Sequence, residues 1–244
     1  MRKIGILLLA GTLLLTGCSS ASQPGARAGY QSIDQATARQ MMEQEDSHLV
    51  VDVRRLDEFE SGHIPGAICI PNEEIGDTQP QELPNPNQIL LLYCRSGNRS
   101  RQAAEKLIRL GYTQVYDFGG INDWTGDIVT GQAVLLTVKV NPTTGFDWTA
   151  EQDGTLFLMR DYYIGQVQSK PVSGSGGWHC FVLTPTQPGK AQVSFRYSRS
   201  WEPSDIDPQF SCVFDIAEDL SISISDDGAA EAAERGFKPV IRIY

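Results

Sequence analysis

The apolar pattern of this 244-residue chain changes its period at about Thr130, and that change most constrains the fold. Before Thr130, short apolar runs typical of buried strands alternate with stretches of helical periodicity. Such alternation favours a mostly parallel sheet with helices on both faces, which predicts an α/β domain over residues 30–128. The predicted strands are Leu49–Val53, Ala67–Ile70, Ile89–Tyr93 and Gln114–Phe118.

Two helices are predicted in this first domain. Ser32 and Gln35 have the spacing of a capping box, ahead of a helix that continues to about Glu43. A second helix covers Ser100–Leu110, and Gly111 ends it.

After Thr130, short alternating runs separated by turn-rich segments predict an all-β domain, a sandwich or a barrel, over residues 129–225. The runs are Ala133–Val140, Trp178–Leu183, Ala191–Tyr197 and Phe210–Ile216. The tail, residues 226–244, is less regular. A short helix over Ala229–Arg235 and a strand over Val240–Tyr244 are predicted there.

Residues 1–17 have the layout of a signal peptide: a basic start, then an apolar run over Ile4–Leu15. That run is too short to cross a bilayer as a helix, which takes about 20 residues. It ends in Leu-Thr-Gly followed by Cys18, which resembles the lipobox of bacterial lipoproteins. The alternative is an ordinary signal peptide with a chance cysteine. The resemblance implies a lipidated Cys18, a tether over residues 18–29 and a membrane-anchored, extracytoplasmic protein that faces the periplasm or the cell surface.

The formal net charge of −10 bears on the partners of the chain. Phosphate binding requires a basic face, so this charge argues against a nucleic-acid partner. The charge by itself says nothing about the fold.

Cys94 stands directly after an apolar strand, with the loop Arg95–Arg99 between it and a helix. In a parallel sheet, sites form at the carboxyl ends of the strands. Inward N–H groups, the helix N-terminus and two arginines all favour a thiolate there and lower the cysteine pKa. Gly97 supplies the backbone freedom of a tight loop. Cys94 is therefore a candidate nucleophile.

Two other interpretations of Cys94 compete with this one. A buried structural cysteine is disfavoured by the flanking arginines and glycine. A cysteine phosphatase also holds a thiolate among backbone N–H groups, but that family has its arginine six positions after the cysteine. This chain has Ser100 there and its arginine one position earlier, at Arg99. The loop is therefore too short to suit a phosphate group well.

The segment Cys94–Ser100 resembles the active loop of the single-domain rhodanese family of sulfurtransferases. The matching flanks are Val51–Arg54, Glu58-Phe59 and Gly62–Ala67 upstream, and Gly119-Gly120-Ile121 with Trp124 downstream. The resemblance implies that Cys94 takes a sulfur atom from a donor such as thiosulfate and passes it, as a persulfide, to cyanide or a thiol. It implies no metal and no organic cofactor.

The same resemblance assigns roles within the site. Cys94, Arg95 and Arg99 are catalytic, and the arginines with the loop N–H groups stabilise negative charge. Ser96, Gly97, Asn98 and Ser100 bind substrate. We assign Asp52, Arg54, Glu58 and His63 mainly to structure, with an Arg54–Glu58 ion pair and hydrogen bonds to Asp52 bracing the end of the sheet. A role for His63 as a catalytic base is disfavoured, because a thiolate that has already formed needs no base.

Three loops marked by glycine or proline in the second domain carry residues typical of interfaces. The first loop is Asn141–Phe146, the second is Gly174–Gly177 and the third is Arg199–Glu202. Over about Thr130–Ile216 they resemble the chagasin family of inhibitors, whose three loops form a wedge that blocks papain-like cysteine peptidases without a covalent bond. This implies an immunoglobulin-like sandwich. Trp148 and Phe181, which follow the first two loops, are predicted on their own account to be core residues. Ser200 stands where proline is usual, which loosens the third loop. The implied peptidase-binding residues are Asn141, Pro142, Thr143, Thr144, Gly145, Phe146, Gly174, Gly176, Gly177, Arg199 and Trp201.

The remaining cysteines leave alternatives open. Cys180 and Cys212 each fall in a β run, and either a disulfide, which an exported domain permits, or two free buried thiols fits them. A Cys69–Cys94 bond would silence the enzyme and is disfavoured.

Two functions therefore compete, and both can hold because they use separate domains. One is an anchored sulfurtransferase. The other is a tethered peptidase inhibitor whose first domain is a binding or redox module. A third hypothesis links them: the persulfide acts on the catalytic thiol of a bound peptidase.

Overall fold

The structure is a computed structural model that describes residues 29–44, 48–154, 156–165, 176–202, 204 and 207–244. The predicted signal peptide, the lipidation site Cys18, the tether up to residue 28, and Gly174 lie outside the described residues. Within those residues, no helix combines the length and the apolar character needed to cross a membrane.

The first domain is an α/β unit around a five-stranded parallel sheet in the order β1-β5-β4-β2-β3, as predicted. Its strands are β1 Gln31–Ser32, β2 Leu49–Asp52, β3 Ile68–Cys69, β4 Ile89–Cys94 and β5 Gln114–Gly120. Its helices are α1 Gln35–Met42, α2 Leu56–Glu60 and α3 Asn98–Arg109. β4 lies in the middle of the sheet because its apolar run is buried on both faces. β4 therefore places Cys94 at the centre of the sheet edge that the carboxyl ends of the strands form.

The capping-box prediction for α1 is wrong. Asp34 is the N-cap residue, and its side chain accepts a hydrogen bond of 2.7 Å from the Thr37 N–H. Ser32 instead lies in β1 and pairs with β5. An aspartate directly before the first helical residue is as good an N-cap as serine, and the pairing of β1 with β5 holds Ser32 in the sheet.

The second domain is an all-β, immunoglobulin-like sandwich of two antiparallel four-stranded sheets, which confirms the predicted fold class. One sheet has the order β12-β11-β10-β7 and the other β13-β6-β9-β8. Its strands are β6 Val134–Val140, β7 Asp147–Gln152, β8 Phe157–Gly165, β9 Gly177–Pro185, β10 Gly189–Ser198, β11 Gln209–Ile216, β12 Ile222–Asp226 and β13 Val240–Ile243. β7, β8 and β12 were not predicted from the sequence pattern, because they are edge strands and carry polar residues on the outside.

The tail fixes the two domains to each other. The predicted helix, α4 Ala229–Glu234, and the predicted final strand, β13, are both present. β13 pairs with β6, and the Tyr244 backbone exchanges hydrogen bonds of 2.9 and 3.1 Å with Ala133 at the domain junction. The guanidinium of Arg242 reaches the first domain, where it pairs with the Glu82 carboxylate and donates to the Gln81 side chain.

The predicted alternative of a Cys180–Cys212 disulfide is wrong, because both cysteines are free. Cys180 lies on the outer face of β9, in the apolar cluster that the sandwich shares with the first domain. Cys212 of β11 points into the sandwich core. A sheet separates the two sulfurs. Cys69 and Cys94 are likewise free, and they belong to apolar clusters on opposite faces of the parallel sheet.

Candidate functional site

Cys94 lies at the carboxyl end of β4, at the base of a tight loop formed by residues 95–97. Gly97 ends the loop with a φ of +90°, in the left-handed region that glycine adopts without strain, and α3 begins at the next residue. This turn aims the Gly97 N–H at the Cys94 sulfur, with an N···Sγ distance of 3.1 Å. The sulfur is therefore held among main-chain donors at the start of a helix.

The pKa of Cys94 is lowered from its ordinary value by these donors. Burial by itself raises the pKa, since Cys94 is only 1% exposed. Hydrogen bonds from the Ser100 N–H and hydroxyl, and from the N–H groups of Ser96 and Gly97, outweigh burial and stabilise the thiolate. The arrangement favours a nucleophilic sulfur over an inert buried thiol.

The two arginines of the loop differ in what they contact. Arg99 donates two hydrogen bonds to the Glu58 carboxylate, at 2.6 and 2.8 Å, and these bonds lower the pKa of Glu58 to about 2. Arg95 is exposed, and its side chain has no hydrogen bond or ion pair within the described part of the chain. Arg99 therefore braces the loop against α2, and Arg95 is left available to an anion.

The predicted Arg54–Glu58 ion pair is wrong. Arg54 instead pairs with Asp52, with an Nη2···Oδ2 distance of 2.6 Å, and it also donates to the Gly62 carbonyl. Arg54 follows Asp52 by two residues at the end of β2, so its guanidinium folds back over that buried carboxylate. Glu58 lies on α2, where its carboxylate meets α3 and Arg99.

In the sandwich, the first and third predicted loops meet at one end. Residues 142–144 form a single 3₁₀ turn, and the Thr143 hydroxyl donates to the Asn141 side chain at 2.7 Å. Gly145 follows with a φ of +77° and lies directly against the ring of Trp201, which is 69% exposed. The Arg199 guanidinium covers the Phe146 ring at 4.7 Å from its centroid.

The described part of the second loop reaches the same end. A side chain at Gly176 would place its Cβ 2.9 Å from the carbonyl oxygen of Val140, the residue before the first loop. Gly177 opens β9 and pairs with both Val140 and Gly165. The stems of all three predicted loops therefore gather at one edge of the sandwich. Trp148 and Phe181 lie in its core, as predicted.

Known proteins resemble the first domain closely. A family model described as a rhodanese-like domain matches residues 34–127. Thiosulfate sulfurtransferase PspE of Escherichia coli strain K12 is 37% identical over 73 residues, which cover 30% of this chain and 70% of PspE. The chain belongs to the rhodanese family. The putative sulfur carrier protein YrkF of Bacillus subtilis strain 168 is 36% identical over 89 residues, and here the match covers 36% of this chain and 47% of YrkF.

A second family model, the chagasin family of peptidase inhibitors, matches residues 127–214. The cysteine protease inhibitor EhICP2 from Entamoeba histolytica is similar at 22% identity, over 32% of this chain and 75% of that one, with a TM-score of 0.29. The two family models show a rhodanese-like domain followed by a chagasin-family domain, and both family predictions are confirmed. The prediction of a rhodanese-type enzyme is confirmed at the level of the family.

Because Gly120 of the rhodanese domain has no side chain, β5 packs directly against the backbone of the Cys94 loop. A Cβ at Gly120 would lie 2.5 Å from the Arg95 carbonyl oxygen and 2.6 Å from the Ser96 Cα. The Asn122 N–H also donates to that carbonyl, at 3.2 Å. No role for Gly120 beyond its motif was predicted, although a paired glycine at the end of a strand already indicates a close backbone approach.

His63 of the rhodanese domain is a structural residue, as predicted. It is fully buried, its ring stacks on Phe59 at 3.7 Å between centroids, and its Nδ1 lies 3.0 Å from the Phe59 carbonyl oxygen. Burial lowers the pKa of His63 to about 4, so its ring is neutral at physiological pH. Its backbone exchanges hydrogen bonds with Val129 and so joins the two domains.

Proposed function

We propose that this protein is a lipid-anchored, extracytoplasmic sulfurtransferase that carries sulfane sulfur as a persulfide on Cys94. The donor is thiosulfate or a similar compound, and the acceptor is a thiol or cyanide. The observation that carries this proposal is the Cys94 sulfur held among main-chain N–H groups with a lowered pKa. The name of PspE, a thiosulfate sulfurtransferase, supports the same chemistry. The lipobox-like sequence that ends at Cys18 supports the anchor.

The reaction has two steps that balance without an added oxidant. The Cys94 thiolate attacks the outer sulfur of thiosulfate; a new S–S bond forms on Cys94, the S–S bond of thiosulfate breaks, and sulfite leaves with the electron pair. Cyanide then attacks the outer sulfur of the persulfide. Thiocyanate leaves, and the Cys94 thiolate is restored.

The loop supplies positive potential for both steps. Its N–H groups face the sulfur and stabilise an anionic persulfide as they stabilise the thiolate. Arg95 is the arginine free to meet an anionic donor. Arg99 acts through Glu58, because that ion pair holds α3 and the loop in place.

Mass spectrometry and a turnover assay test this proposal together. Incubation of the full chain with thiosulfate is expected to add about 32 Da, one sulfur atom, to the peptide that contains Cys94. Cyanide is expected to remove this mass and release thiocyanate. Cys94→Ser provides the blank, with neither the added mass nor thiocyanate. If the wild-type chain gains no sulfur from any sulfane donor, it is not a sulfurtransferase.

We propose a second function for the sandwich, reversible inhibition of papain-like cysteine peptidases. The gathering of the three loop stems at one edge, with Trp201 exposed beside Gly145, supports it. Exposed tryptophan and arginine side chains are typical anchors of tight interfaces. The alternative for the whole protein is that inhibition is its main role and the rhodanese domain is a binding or redox module.

Titration of papain with the full chain tests the second function. Inhibition is expected to be reversible and to leave the peptidase thiol unmodified, because the wedge blocks the cleft without a covalent bond. It is expected to be the same for Cys94→Ser, which separates it from sulfur chemistry. Failure to inhibit any of a panel of papain-like enzymes would exclude it.

A further inference from the structure

A buried histidine lies between two carboxylates at the loop edge of the sandwich. His179 of β9 is 5% exposed, and it is not among the motif residues on which either family resemblance rests. Its Nδ1 lies 2.7 Å from Asp147 Oδ1, and its Nε2 lies 2.8 Å from Asp161 Oδ2. The ring also stacks on Phe181 of the core, at 4.5 Å between centroids.

The two contacts require a charged ring. Ionised carboxylates only accept hydrogen bonds, so both ring nitrogens must carry a proton. Burial by itself lowers the pKa of His179, but the hydrogen bonds to Asp147 and Asp161 raise it to about 9. The pKa of Asp147 is lowered, because its hydrogen bond to His179 outweighs burial. His179 is therefore an imidazolium at neutral pH.

Three other titratable groups lie on elements near His179, and none of them replaces the two aspartates as a partner of its ring. Tyr163 of β8 pairs with His179 in register, and burial and the Asp147 charge raise the pKa of Tyr163. Lys139 of β6 lies over the ring of Trp178, on the other face of the sheet. Arg199 of the third loop covers Phe146. The two aspartates are therefore the partners of the charged ring.

The contacts of His179 join the first two loops across the sandwich. Asp147 follows Phe146 and starts β7, in one sheet, whereas Asp161 and His179 lie on β8 and β9, in the other. β8 and β9 are the two strands that the second loop connects. We propose that His179 is a positioning residue of the peptidase-binding edge: its charged ring fixes the first loop to the strands that carry the second. This inference rests on the proposed inhibitory function.

The geometry predicts a pH dependence with a definite sign. Because the folded-state pKa of His179 is raised above 6.5, its contribution is fully present below about pH 6.5 and is lost as the pH rises through about 9. Inhibition is therefore expected to hold from weakly acid to neutral pH and to weaken in alkali.

The test compares His179→Gln with wild type, and uses His48→Gln of the first domain as the matched control. At about pH 6, His179→Gln is expected to raise the Ki for papain about tenfold, because a charge-assisted link is lost. The ratio of variant to wild-type Ki is expected to fall towards one by about pH 10, where wild-type His179 is itself neutral. Because both Ki values are measured with the same peptidase at the same pH, their ratio removes the pH dependence of the peptidase itself. A ratio that stays constant with pH, or equals that of His48→Gln, would overturn the proposal.

A second variant and a second measurement cover the cases in which folding or inhibition fails. Asp161→Asn changes an exposed carboxylate and removes one of the two links, so a smaller rise of about threefold is expected. If wild type inhibits at no pH, the inhibitory function fails. The role of His179 is then decided by amide exchange at residues 143–146. Faster exchange in both variants below about pH 7 supports positioning, and unchanged exchange refutes it.

Discussion

Replacing Gly120 by alanine is expected to lower kcat/KM for sulfur transfer by about 100-fold, although Cys94 is untouched. The added Cβ would lie 2.5 Å from the Arg95 carbonyl oxygen and 2.8 Å from the Ser96 nitrogen. Both are backbone atoms, so no side-chain rotation relieves the clash, and the loop must move away from β5. A shift of about 1 Å turns the N–H groups away from the sulfur, and displacements of that size cost about 100-fold in rate.

Thiocyanate formation and the pH dependence of Cys94 alkylation measure this effect. In Gly120→Ala, the thiol pKa is expected to rise, because burial remains while the hydrogen bonds that lower it weaken. Gly76→Ala is the matched control: an exposed glycine of the same domain, with no atom within 4 Å of the added Cβ and no positive φ. Equal turnover in the two variants would mean that the close approach of β5 does not shape the loop.

The Cys94 loop could be predicted from sequence because its parts are contiguous. Residues 94–99 place the nucleophile, the left-handed glycine and both arginines within one turn between a strand and a helix. The partner of Arg99 could not be predicted in this way. Glu58 lies 41 residues away, and Arg54, only four residues from Glu58, was the nearer choice. The tertiary structure determines which arginine binds Glu58, because Arg54 already forms an ion pair with Asp52.

The partners of His179 are a clearer case of contacts that could not be predicted from local sequence. Its carboxylate partners are 32 and 18 residues away, on strands that the apolar pattern does not predict. Alternation of apolar residues reveals a strand with one buried face, but β7 and β8 carry charged residues at the loop edge. Strand register, which sets the Asp161–His179 contact, depends on pairings that local sequence does not specify.

The relative position of the domains bears on the hypothesis that the persulfide acts on the thiol of a bound peptidase. β8 ends at Gly165, where an added Cβ would lie 4.0 Å from the Asn85 side chain, and Asn85 precedes the start of β4. Cys94 lies at the other end of that strand, which is about 20 Å long. The loop edge and the persulfide site thus face opposite edges of the parallel sheet. This arrangement disfavours direct transfer within one complex and favours two independent sites.

Replacing Gly145 by alanine is expected to raise the Ki for papain by about 100-fold. Gly145 has a φ of +77°, and an L-residue there costs about 1–2 kcal/mol. The added Cβ would also lie 2.5 Å from the ring of Trp201, so Trp201 or the first loop must move. Displacing an interface tryptophan typically costs about 2 kcal/mol, and every 1.4 kcal/mol is about tenfold in affinity. The first loop relieves the strain by leaving its binding shape, so restoring that shape on binding and displacing Trp201 together cost about 3 kcal/mol, which corresponds to about 100-fold.

Gly154→Ala separates the two causes. Gly154 also has a left-handed backbone, with a φ of +89°, but no atom lies within 4 Å of its added Cβ. It is expected to lower the free energy of unfolding by about 1–2 kcal/mol and to leave the Ki unchanged. Trp201→Ala is expected to raise the Ki about 30-fold, because it removes the anchor without straining the loop. If Gly145→Ala inhibits as well as Gly154→Ala, the contact between Gly145 and Trp201 does not shape the inhibitory edge, and the peptidase must be held by other residues.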